Sequence, residues 1–111
     1  MVKRQVMIYT TTETVPGREI EAILGVVNGN VVQSKHVGRD LMAGLKSIVG
    51  GELKGYTEML TEARAIATER LVSEAENLGA DAIVGVRFTT SAVTDGASEI
   101  MAFGTAVKLR A

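Results

Sequence analysis

The sequence predicts an α+β domain: a mostly antiparallel sheet with two helices on one face. Three observations carry this. Apolar residues recur every three or four positions over residues 57–78, the period of an amphipathic helix. Residues 82–93 and 100–109 alternate with period two around Asp95-Gly96, a hairpin signature. Strand and helix patterns fall in separate runs, which is the α+β arrangement rather than a parallel α/β one.

Each element follows in order. Val6 to Thr10 is apolar and β-branched and reads as a short strand. Val15-Pro16-Gly17 reads as a turn, because proline presets φ and glycine accepts the positive φ of a type II position. Ile20 to Val27 is the next strand. Asn28-Gly29 carries the strongest short hairpin signal, so the chain is expected to reverse there and return through Val31 and Val32. Val37, Leu41, Leu45 and Ile48 mark a helix over 37–49, ended by Gly50-Gly51. Glu52 to Gly55 is a connector.

The long helix over 57–78 has the clearest pattern. Leu60, Ala63, Ala67, Leu71, Ala75 and Leu78 form one stripe, and Glu58, Glu62, Arg64, Glu69 and Glu76 occupy the opposite face. Gly79 is its C′ residue. The final hairpin then has two faces. Met101, Phe103, Val107 and Leu109 point one way, and Ile100, Ala102, Gly104 and Ala106 point the other. If the small residues lie against the helices, the larger ones need another cover. A second copy of the chain is the simplest candidate.

Composition limits the function classes. The 111 residues are the size of a single domain, 1–111, with no linker or internal repeat. Twelve basic and thirteen acidic residues are scattered, so no nucleic-acid-binding stripe is present. No cysteine is present, which removes disulfides, thiolate metal sites and thiol nucleophiles together. The apolar run after Lys3 and Arg4 is too short for a signal sequence, and no run approaches the roughly 20 residues of a membrane span. A cytoplasmic location and no membrane partner are the expectation.

The chain also resembles the YbjQ family of small bacterial and archaeal proteins. The resemblance rests on Thr11-Thr12 with Pro16-Gly17, Leu24-Gly25-Val26-Val27, the run His36 to Asp40, the run Ile48 to Lys54, Tyr56, the run Leu78 to Val86, and Gly104 to Val107. It spans about residues 7 to 109, and the ordered set is specific although each piece is short. It implies a dodecin-like β/α subunit assembling as a homopentameric ring, and a family label of heavy-metal binding without an established activity.

The residues themselves offer few chemical sites. His36 is the only histidine, and Asp40 lies four residues later. On a helix the two share a face and can chelate one divalent ion, and a ring could bring several copies of the pair together around its axis. The same histidine also reads as a solvated side chain beside a carboxylate. The five methionines are core fillers rather than copper ligands. Gly50, Gly51, Glu52, Lys54 and Tyr56 form a glycine-rich connector able to cradle an anion or small ligand, with Arg39 and Asp40 as charged neighbours. The spacing is not that of a P-loop, and a tight interhelix turn explains the same glycines. No nucleophile elbow is present, and only one imidazole could serve a serine triad. Asp81 caps or pairs with a base such as Arg87. Gly85 and Gly104 suggest close backbone packing.

The functional expectation is a non-catalytic homo-oligomer that binds a small ligand or metal ion at subunit junctions, through Arg39, Asp40, Gly50, Gly51, Glu52, Lys54 and Tyr56, with His36 and Asp40 as metal ligands. Two alternatives are an enzyme whose acid/base site is completed across the interface and a purely structural assembly protein.

Overall fold

The computed structural model describes residues 6–34, 54–94 and 97–111. In chain order the elements are β1 (Ile8–Tyr9), β2 (Ile20–Ser34), α1 (Lys54–Asn77), β3 (Ala82–Thr94) and β4 (Ala97–Leu109). The strands form one mixed sheet in the order β1-β3-β4-β2. β1 runs parallel to β3, and β4 is antiparallel to both of its neighbours. Among the described residues α1 is the single helix; the helix expected over 37–49 lies outside them.

The turn signals that depend on local backbone chemistry are realised. Gly17 sits at φ 81°, and Arg18 N donates to Val15 O at 3.0 Å across Pro16-Gly17, as a type II turn requires. Gly79 has φ 77°. Gly79 N bonds Glu76 O at 2.9 Å, and Ala80 N reaches back to Ala75 O at 3.1 Å. These two bonds are the Schellman closure of α1.

The Asn28-Gly29 expectation is corrected. β2 runs without reversal from Ile20 to Ser34, and Gly29 pairs with Ala102 of β4 in mid-strand. Glycine is required there for a tertiary reason. A Cβ at Gly29 would collide with the backbone of α1 at Ala67 O and Leu71 N. The helix axis therefore lies close over β2, helped by alanine at 63, 67 and 75 on the buried stripe. The start of α1 is corrected as well: Lys54 to Tyr56, expected in a connector, form its first turn.

Two apolar clusters lie on opposite faces of the sheet. Under α1, Ala63, Ala67, Leu71 and Ala75 pack on Val27, Val31, Ile83, Val86, Ile100, Ala102 and Ala106. The small face of β4 does meet the helix, as its pattern predicts. On the other face Val15 and Ile20 cover Ala82, Val84, Val107 and Leu109. The expectation that the Met101–Leu109 face lacks an intramolecular cover thus needs revision. The segment around Val15 buries its Val107 and Leu109 end, whereas Met101 and Phe103 stay half-buried.

Gly104 and Gly85 divide. A Cβ at Gly104 would stand 2.9 Å from Ile83 Cγ2 and 3.0 Å from Val84 O, so close packing explains it. Gly85 has open space around it and φ 63°. It lies where the β3–β4 register shifts between Val84 and Arg87, and its positive φ forms that bulge.

Candidate functional site

The sequence-derived site residues fall almost entirely outside the described chain. His36, Arg39, Asp40, Gly50, Gly51 and Glu52 lie there, and Lys54 and Tyr56 are placed only as backbone of the first turn of α1. Among the described residues no group of three His, Asp or Glu side chains is arranged to hold a metal ion.

One cluster of charged groups lies at the end of the sheet where β3 begins and β4 finishes. Asp81 accepts a hydrogen bond from Leu109 N at 2.8 Å and lies 3.5 Å from Lys108 Nζ. Its side chain is 22% exposed. The Leu109 N–H is the largest influence on the carboxyl; partial burial opposes it, and Lys108 and Arg18 add to it. The sum holds Asp81 below the ordinary aspartate value of 3.8. A carboxylate kept ionised in this way ties two strand ends together, and the direction is opposite to that of a general acid. Of the two readings of Asp81, a cap or a pair with Arg87, the pair is not formed. Arg87 Nη1 instead donates to Thr11 O and Val86 O, both at 2.9 Å, fastening the segment after β1 to the bulge of β3.

A neighbouring group closes the same end. Arg18 Nη2 donates to Arg110 O at 3.2 Å, and Arg110 Nη1 meets Glu19 Oε2 at 2.7 Å. Both Arg110 and Glu19 are exposed, so this pair contributes little. Arg70, which sequence reading passes over, is more informative. Its Nη1 donates to Asn30 O at 2.6 Å across a sequence separation of 40 residues, and Asn30 Nδ2 in turn donates to Glu99 Oε2 at 3.0 Å. Nothing local in the sequence signals that contact.

An open groove of about 570 Å³ lies between Tyr9 and α1, lined by Thr68, Glu69, Val72, Ser73 and Glu76. The Thr68 hydroxyl is occupied by Arg64 O at 2.8 Å. The remaining groups are carboxylates, a serine hydroxyl and a phenol. No imidazole, amine or thiol is among the described lining residues.

Comparison with known proteins adds the family context. Residues 7–110 match the YbjQ_1 family model, described as "Putative heavy-metal-binding". The chain is 77% identical over 103 residues to a UPF0145 protein of Vibrio campbellii, covering 93% of this chain and 99% of that one. A UPF0145 protein of Thermotoga maritima is 64% identical over 103 residues, covering 93% and 97%. Among solved structures, a protein of unknown function of the DUF74 family from Pediococcus pentosaceus superposes with a TM-score of 0.65 at 18% identity. That match covers 94% of this chain and 98% of the other, and it is a likeness of fold.

Proposed function

The chain belongs to the YbjQ family, and we propose that it works as a homo-oligomeric, non-catalytic module that binds a metal ion or small ligand where subunits meet. The observation that carries this reading is the apolar side chains that stand exposed on the sheet among the described residues. Val26 is 74% exposed, Val32 53%, Phe88 48% and Val93 56%. Val26 and Val32 share the face away from α1 with half-buried Met101 and Phe103, and Phe88 lies on the α1 face opposite Ala102; apolar exposure of this extent is what monomers rarely leave open. A second copy is the cover that needs no further protein.

The ligand half of the proposal rests on His36 and Asp40, four residues apart in sequence, and on the metal-binding description of the family. One such pair supplies two ligands, which is a weak site for a divalent ion. A symmetric assembly multiplies it, and imidazole with carboxylate suits Zn²⁺ or a similar borderline ion. Arg39, Glu52, Lys54 and Tyr56 are the candidate neighbours for an anionic ligand. The Asp81 carboxylate, held ionised by strand-end hydrogen bonds, gives no support to an acid/base enzyme.

Titration calorimetry with a panel of divalent metal ions tests this. The wild type is expected to bind at least one of them in the micromolar range, and His36→Ala and Asp40→Ala each to weaken that binding at least tenfold without changing the assembled mass. An intact oligomer that takes up no metal at millimolar concentration would refute the metal reading.

A further inference from the structure

The groove between β1 and α1 carries an inference that is independent of assembly and of the pair His36 and Asp40. Its walls follow from the fold. α1 lies close over β2 at one edge of the sheet, and β1 forms the other edge. Tyr9 pairs with Ile83, a member of the core under α1, so Tyr9 stands on the helix side of the sheet. Helix and phenol ring face each other across about 570 Å³, the size of a small-molecule site.

The helix wall is one stripe. Ala65, Glu69, Val72 and Glu76 recur at intervals of four, three and four residues, so they stack along one face of α1. Val72 is half-buried against the core and stands between the two exposed glutamates. A rise of about 1.5 Å per residue sets Glu69 and Glu76 roughly 10 Å apart along the axis. That spacing suits two cations joined by a chain better than one ion gripped by both carboxylates. No arginine, lysine or histidine is among the described lining residues. The cations nearest along α1 are engaged elsewhere, Arg70 on Asn30 O and Arg64 on the Thr61 hydroxyl. Among the described residues the ion pairs are Lys108 with Asp81 and Arg110 with Glu19, so Glu69 and Glu76 have none. Two uncompensated carboxylates thus flank an apolar floor of Ala65 and Val72, opposite a Tyr9 ring that is 52% exposed.

We infer that this groove binds a linear aliphatic polyamine, with one ammonium on Glu69, a second on Glu76, and the methylene chain between them crossing Val72 along the Tyr9 ring. The charges are complementary at both ends. The spacer buries its methylene groups against apolar atoms, and the face of the phenol attracts a cation that passes over it. A monoamine satisfies one carboxylate only. A hydrated divalent metal gains nothing from Val72 or Tyr9.

Titration calorimetry of the wild-type protein with spermidine, butylamine and Mg²⁺ tests the assignment. Spermidine should bind saturably in the submillimolar range, roughly tenfold more tightly than butylamine or Mg²⁺. Glu69→Gln and Glu76→Gln should each weaken it about threefold, the scale of an exposed ion pair, and Tyr9→Ala should weaken it by a similar factor. Glu74→Gln removes the same charge from the same helix outside the lining residues, and it should leave the affinity unchanged. An unchanged melting temperature shows that each of these surface variants is folded. No saturable binding at millimolar spermidine would overturn the site. Equal affinity for Mg²⁺, or an equal loss from Glu74→Gln and Glu69→Gln, would also overturn it, because either describes unspecific attraction to an acidic helix. Displacement of spermidine by a peptide of lysine and leucine at lower concentration would assign the groove to a protein partner and overturn the polyamine.

Discussion

The two ends of the sheet are built differently. Around Ala82 and Leu109 the sheet is sealed on both faces, by α1 on one and by Val15 and Ile20 on the other, and its corner is pinned by Asp81. Around Val32, Phe88 and Val93 the strands continue past that cover with apolar side chains in solvent. The same strands thus contribute the fold's stability at one end and an uncommitted surface at the other. The contrast separates residues whose loss should unfold the chain from residues whose loss should only disassemble it.

The largest expected effect tests the seal under the helix. Gly29→Val puts a branched side chain into the backbone of α1, and backbone cannot step aside as a side chain can. The variant should lose upward of ~3 kcal/mol in urea unfolding. Leu71→Ala, at the centre of the cluster under α1, should cost about 3 kcal/mol by the same measurement. A loss under about 1 kcal/mol at Leu71 would mean that the sealed end is not the core.

Asp81→Asn keeps an acceptor for Leu109 N but loses the charge, so it is expected to cost about 1 kcal/mol at neutral pH, the difference between a hydrogen bond to a charged group and one to a neutral group. The sign of its pH dependence follows from the lowered folded value. A carboxyl that ionises more readily in the folded chain stabilises it above the ordinary 3.8, and that contribution fades as pH falls through the lower folded value. The stability gap between wild type and variant should therefore be full at pH 7 and shrink below pH 4. A gap that stays constant down to pH 2 would show that Asp81 does not act through its charge.

The smallest effect on stability belongs to the open end. Phe88→Ser and Val32→Ser should each shift monomer stability by no more than ~0.5 kcal/mol while abolishing assembly on a sizing column. A large loss of stability at either position would erase the distinction between the two ends.

Much of the sealed end is legible in the sequence because its signals are local. Pro16-Gly17 and Gly79 announce their own φ requirements, and the Ala63–Ala75 stripe announces its helix. Gly29 is misread because the same dipeptide serves two physical needs: a reversal, or the close passage of a helix that lies some forty residues further along the chain. Short-range chemistry does not distinguish them. Val15 as a lid over Val107 and Leu109 has no local signal either, since it depends on where the turn docks. Arg70 on Asn30 is likewise a contact between distant segments. The candidate ligand residues are legible only as residue types in a short stretch, His36 with Asp40 and the glycines of 50–51, and their mutual geometry lies outside the described residues.

The central claim is that the open end is covered by another copy of the chain. Sedimentation of the wild-type protein at micromolar concentration and physiological salt measures it directly. The account predicts one species at an integral multiple of the 11.7 kDa chain, stable to tenfold dilution. A single species at the monomer mass across that range would contradict it.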